Sequence, residues 1–141
     1  MLVRLLYASR AQSVSAETIE TILTQSRAKN PQLGITGILC HGGDFFMQVL
    51  EGGRDTVNGL YNQIVRDPRH DHVVLLHYEE IAERRFSGWT MGQVNMARIN
   101  PSTVLKYSEK PTLDPFAAPG RASMALLEEL IATAAIIGRT P

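Results

Sequence analysis

The sequence predicts an α+β fold on the ferredoxin-like plan, β-α-β-β-α-β-β, with a five-stranded mixed sheet, two helices on one face and a further C-terminal helix. Three observations predict it. Apolar periodicity alternates between strand-like and helix-like stretches in that order. A tight-turn signal, Gly42-Gly43-Asp44, joins the second and third strands. A length of 141 residues with 44% hydrophobic content suits one ordinary domain with a real core.

Residues 2–8 (Leu-Val-Arg-Leu-Leu-Tyr-Ala) read as the first strand. Ser15 is positioned as an N-cap, with Glu17 in the first turn where negative charge suits the helix dipole. Ile19, Ile22, Leu23 and Ser26 follow at i, i+3, i+4 and i+7, the stripe of an amphipathic helix. Arg27 and Lys29 suit its C-terminal end, and Asn30-Pro31 is expected to stop it. Residues 34–41 form the second strand and Phe45 onward the third, ended by Gly52-Gly53. Val57, Leu60, Tyr61 and Ile64 give a second helical stripe closed by Pro68. Residues 73–76, extending to Ile81, make a fourth strand, and Phe86 to Val94 a fifth. The stretch 95–119 contains four prolines and reads as an irregular connection with a short helix. A strong helix is expected over about 122–137, apolar around much of its circumference and therefore buried, either on its own sheet or at an interface.

Bulk composition excludes several functions. Lys+Arg and Asp+Glu both number 14, so no basic nucleic-acid footprint is indicated. No apolar run reaches eighteen residues, and the N-terminus is too short and interrupted for a signal peptide. Cys40 is the sole cysteine, so no intramolecular disulfide can form. A soluble cytoplasmic protein is expected, with no membrane or nucleic-acid partner.

Gln48 is the most informative residue. Phe46, Gln48 and Leu50 share one face of the third strand, and Phe45, Met47 and Val49 the other. Both faces are otherwise apolar, as in a central, doubly covered strand. A buried amide there needs partners for two N–H donors and a carbonyl, and each one missing costs ~1–3 kcal/mol. Ser26 in the stripe of the first helix, Asn30 at its end, and Asp67 and Arg69 at the end of the second would gather at one end of the groove between them. Tyr7, on the strand that pairs with the third in this topology, would lie beside Gln48. Ile22, Ile64 and Phe46 would wall the groove, the general description of a site for a planar ligand.

Each polar residue also has a plain structural reading. Ser26 can bond its own helix backbone, Asn30 and Asp67 can be helix terminators before proline, and Arg69 a solvated charge. Trp89 and Met91, at i and i+2, would share a strand face as core or as ligand contacts. Cys40, His41, His70, His72 and His77 lack metal-ligand spacing. No hydrolase triad, GxGxxG or phosphate loop is legible.

Several segments together resemble BLUF domains, the blue-light sensors using FAD. They are residues 2–9, Asn30 with Gly34-Ile-Thr-Gly37, residues 45–52, Arg66-Asp-Pro-Arg-His70, and Arg84-Arg-Phe-Ser-Gly-Trp-Thr-Met91. The resemblance covers residues 2–94 and implies a photosensor domain over 1–95, with 96–141 as an extension. It implies a flavin (FAD, with FMN or riboflavin sharing the ring) between the two helices. Tyr7 matches the photoactive tyrosine, Gln48 the glutamine between it and the flavin, and Asn30 the asparagine at the O4/N3 edge. Ser26, Asp67, Arg69 and His70 match positions toward the far end of the ring or its tail. Ile22, Phe46 and Ile64 match its walls, and Trp89 and Met91 a pair on the last strand. Light would draw an electron and then a proton from Tyr7, and recombination would leave the Gln48 hydrogen bonds rearranged and the absorption shifted to the red. The resemblance implies a short, stand-alone, non-enzymatic receptor acting through homo-oligomer rearrangement or a separate downstream protein. A small ferredoxin-like enzyme and a ligand-binding module without photochemistry are the alternatives, and both leave Tyr7, Asn30 and Gln48 unexplained.

Overall fold

In the computed structural model, which describes residues 1–11 and 15–141, five strands form one sheet in the order β4-β1-β3-β2-β5. The strands are β1 (Leu2–Arg10), β2 (Thr36–His41), β3 (Phe45–Gly53), β4 (Asp71–Ile81) and β5 (Gly92–Asn95). All neighbours run antiparallel except β2 and β5, which run parallel. This is the mixed, ferredoxin-like sheet that the sequence predicts, and β3 lies at its centre.

Alternation along β3 gives the sheet two apolar faces. Phe46 and Leu50 join Tyr7, Leu5 and Leu39 on one side. Helices α1 (Ala16–Leu33) and α2 (Arg54–Arg66) cover that side through Ile19, Ile22, Leu23 and Val57. Phe45, Met47 and Val49 face the other side. Helix α4 (Gly120–Leu130) covers it with Met124, Leu127 and Leu130. Full burial of each such side chain is worth ~1.5–3 kcal/mol.

Three boundaries differ from the sequence expectation by three or more residues. Ser15 caps α1 as expected, its side chain accepting from the Thr18 N–H, but the helix does not stop at Asn30. Pro31 sits inside its last turn, and the stop is Gly34 in the left-handed region at φ 69°, its N–H bonded to Asn30 O. Proline removes one donor, whereas a left-handed glycine redirects the chain. The final helix spans Gly120–Leu130 rather than 122–137. Beyond it the Thr133 hydroxyl donates back to Leu130 O at 2.7 Å and accepts from the Ala135 N–H, and these local bonds displace the helical ladder.

The fifth strand is only Gly92–Asn95, not Phe86–Val94. The preceding backbone is bonded elsewhere. The carboxylate of Glu51 accepts from the N–H groups of Arg85 (3.0 Å) and Phe86 (2.7 Å), and Trp89 N–H turns back to Phe86 O. Ser87-Gly88 at the bend is a turn signal that hydrophobic alternation masks. Trp89 and Met91 therefore share no strand face. Met91 packs on the α1/α2 side and Trp89 on the α4 side.

The expected short helix between the sheet and α4 is present as α3 (Pro101–Leu105). Among the described residues no helix is long and apolar enough to cross a membrane.

Candidate functional site

A cleft opens between α1 and α2 above β3. Ile22, Ser26 and Asn30 line it from α1, Ile64 from α2, and Asp67, Arg69 and His70 from the chain that leaves α2. Gln48 and Met91 close its base. Nine residues that the sequence singles out thus meet in one place.

Tyr7, Phe46 and Trp89 do not line the cleft. Tyr7 and Phe46 are fully buried behind it, and Trp89 lies on the other face of the sheet. Sequence reasoning passes over Gln25, Lys29, Leu33 and Gln63, which do line it. Lys29 and Leu33 continue the helical face of Ile22 and Ser26 by one turn each, so extending that face beyond Asn30 would have found them.

Gln48 and Tyr7 are directly opposed across β3 and β1. The Tyr7 hydroxyl donates to Gln48 Oε1. The Gln48 amide nitrogen donates to Met91 Sδ at 3.3 Å, a weak acceptor. Gln48 is only 4% exposed, so its amide has little access to water. Burial pushes the Tyr7 phenol far above its usual pKa, reinforced by the nearby Tyr61 and Asp67, so Tyr7 is a neutral donor at any working pH.

Aromatic groups surround this pair. The Tyr61 ring lies 5.7 Å from Tyr7, and the His70 ring 5.1 Å from Phe46. His70 Nδ1 is 2.7 Å from the Ser9 hydroxyl, and burial lowers its pKa. At the mouth, Arg69 and Asp67 form an ion pair at 2.5 Å, which holds the Asp67 carboxyl below its usual range. Arg69 also reaches Gln25 at 3.3 Å, so the pair ties the end of α2 to α1 rather than standing free in solvent.

Asn30 is buried, and its amide nitrogen donates to Thr90 O at 2.6 Å. No hydrogen bond of Asn30 Oδ1 occurs among the described residues. The cleft thus offers one amide acceptor from Asn30 and a weakly engaged amide donor from Gln48, between the apolar side chains Ile22 and Ile64. A planar heteroaromatic edge carrying both carbonyls and an N–H fits that donor set, and an isoalloxazine ring has such an edge. Among the described residues no group of three or more His, Cys, Asp or Glu side chains can hold a metal ion.

A family model described as sensors of blue light using FAD, BLUF, matches residues 2–92. The chain is 38% identical over 92 residues to the photoactivated adenylate cyclase subunit beta of Euglena longa, a match covering 64% of this chain and 11% of that protein. It is 36% identical over 87 residues to the blue light- and temperature-regulated antirepressor BluF of Escherichia coli K12, covering 61% of this chain and 22% of that one. The chain therefore spans about a tenth to a fifth of these relatives. Among solved structures, BlsA in its photo-activated state superposes with a TM-score of 0.85 at 29% identity, covering 100% of this chain and 99% of BlsA. BlrB, a BLUF protein in its dark state, gives 0.78 at 32% identity, covering 93% of this chain and 95% of BlrB.

Proposed function

This chain belongs to the BLUF family of blue-light sensors using FAD, and from that premise we propose that it is a blue-light receptor whose flavin ring lies between α1 and α2 and is read by Gln48. One observation carries the reading. An unbroken set of hydrogen bonds runs from the buried Tyr7 hydroxyl through the Gln48 amide to Met91, at the base of the cleft.

In this reading Gln48 and Asn30 hold the polar edge of the ring. Ile22 and Ile64 flank it, and Phe46 supports it from behind. Ser26, Asp67, Arg69 and His70 lie toward its far end or tail. Bound and lit, the flavin supplies an oxidant strong enough to take an electron from a phenol.

The rest is done by the chain. Tyr7 is the electron donor. Removing an electron makes its hydroxyl strongly acidic, and the proton has an exit along the bond to Gln48 Oε1. Gln48 would accept there and release a proton from its nitrogen to the ring that took the electron, so the amide would relay without keeping charge. When electron and proton return, Tyr7 is restored and no net oxidation or reduction remains. What persists is the orientation or tautomer of the amide, which exchanges donor and acceptor between Tyr7, Met91 and the ring. A changed hydrogen bond at the ring shifts its absorption to the red.

The chain is proposed to signal rather than catalyse. Residues 1–95 would form the sensor and 96–141 the extension that reads the opposite face of the sheet through α4. Output would pass to a separate protein or through a change of homo-oligomer.

An absorption spectrum of the purified protein tests the proposal. The expected result is a yellow protein whose flavin bands shift reversibly to the red after blue light. A colourless protein that refuses FAD, FMN and riboflavin would overturn it.

A further inference from the structure

We infer that the segment Ile136–Thr140 clamps the loop carrying Met91, and that Thr140 is a positioning residue for the Gln48 amide. The part of this claim that concerns photochemistry rests on the function proposed above.

Thr90 is held from two sides. Its carbonyl accepts from Asn30, a cleft residue, at 2.6 Å. Its N–H donates to Thr140 Oγ1 at 3.0 Å. The neighbouring Met91 offers its sulfur to Gln48 and its carbonyl to Arg27 Nε, at 3.3 and 3.1 Å. A single residue of backbone thus separates the cleft from Thr140.

The segment is itself anchored. Thr140 N–H donates to Gly88 O at 2.7 Å. Gln93 and Ile137 exchange backbone hydrogen bonds at 2.9 Å each way, which extends β5 by a short antiparallel bridge. Ile136 is buried in the core on the α4 side. The Arg139 guanidinium stands 5.2 Å above the Trp89 ring. Contacts therefore run along the loop from Gly88 to Gln93, and Gly138 of the segment lies beside the Arg27 guanidinium of α1.

These bonds fix where Met91 presents its sulfur, and so support the amide arrangement in which Gln48 donates to it. Losing the Thr140 acceptor frees the Thr90 peptide and weakens that arrangement. The protein rebuilds it on returning to darkness, so thermal recovery slows.

The test uses the full flavin-loaded chain with Thr140→Val, which keeps the side-chain shape but accepts no hydrogen bond, and Thr140→Ser, which retains the oxygen. Ile137→Pro, which removes the N–H donated to Gln93, is a second and independent lesion. Two quantities are read: recovery of the absorption spectrum after a blue pulse, and backbone amide exchange at Thr90 in the dark. Thr140→Val is expected to bind flavin as the parent does. Its Thr90 amide should exchange faster, and its recovery should slow by roughly 3- to 10-fold, the effect of about one hydrogen bond. Thr140→Ser should match the parent, and Ile137→Pro should change recovery in the same direction as Thr140→Val. Recovery that is unchanged or faster in Thr140→Val overturns the positioning role, and unchanged Thr90 exchange overturns the clamp. A parent protein with no reversible shift would instead refute the proposed function, while the exchange measurement would still decide the clamp.

Discussion

Tyr7 and Gln48 are register partners on adjacent antiparallel strands, and the phenol of one donates its hydrogen bond to the amide oxygen of the other. Both side chains are buried. Tyr7→Phe removes the donor and leaves an amide oxygen unsatisfied, so unfolding should become easier by ~1–3 kcal/mol. The variant should still bind flavin, because Tyr7 lies behind the cleft rather than in it. Its light-minus-dark spectrum should be flat, and a surviving red shift would remove Tyr7 from the mechanism.

Gln48→Leu tests the amide itself. Leucine fills much of the same space among apolar neighbours but can neither donate nor accept. Flavin should remain bound and the normal red shift should vanish. Met91→Leu is a milder change, because volume-conserving apolar swaps cost less than ~1.5 kcal/mol. It should keep a reversible shift with altered recovery, read from the same pulse experiment.

Arg4 and Glu51 form a buried ion pair at 2.8 Å on the α4 side of the sheet, with side-chain exposures of 5% and 0%. Arg4 also reaches Glu79 at 2.6 Å and approaches Glu128 of α4 at 4.0 Å. Arg4→Met strands the Glu51 carboxylate and should cost about 3–5 kcal/mol. Adding Glu51→Leu should restore part of that stability in denaturant titrations. It should not restore protection of the Phe86 amide, whose acceptor is the Glu51 carboxylate.

Stability should fall in two steps on acidification. Burial lowers the pKa of His70 and of His41 below their usual value. The unfolded chain then binds more protons, so their contribution is complete above about pH 6.5 and is lost as pH falls through that value toward the folded pKa. Asp67 is held low by Arg69, so its contribution persists to lower pH and is lost only below about 3.9, toward its folded pKa. Thermal melts between pH 8 and 3 read both windows. His70→Asn should flatten the first, and an unchanged slope would show that His70 does not supply it.

Much of the fold and the site was legible in the sequence, because strand alternation and helical stripes are local properties. Alternation groups Gln48 with Phe46 and Leu50 on one face of β3, and the topology places Tyr7 beside it; the structure adds that this is the α1/α2 face. The failures have physical causes. Pro31 looks like a stop, but the backbone reversal belongs to Gly34. Residues 86–91 carry a strand-like pattern, yet the N–H groups of Arg85 and Phe86 that lead into them go to a carboxylate 34 and 35 residues earlier in the chain, which no local pattern reveals. Trp89 and Met91 were consequently expected on one side of a sheet that they straddle. Lys29 and Gln63 line the cleft but look like ordinary solvated helix residues.

Gln48 and Glu51 are three positions apart on one strand, an odd spacing that points the amide into the cleft and the carboxylate to the opposite side, where it grips the loop that returns Met91 to the amide. This fixes the smallest portable unit of the sensor. Transplanting Tyr7, Gln48 and Met91 as three isolated substitutions into another sheet would move the parts without the frame that aims them. A working graft would have to carry β1, all of β3 and the loop down to β5. Even one residue inserted between Gln48 and Glu51 would turn one of them to the wrong side and separate the detector from its anchor.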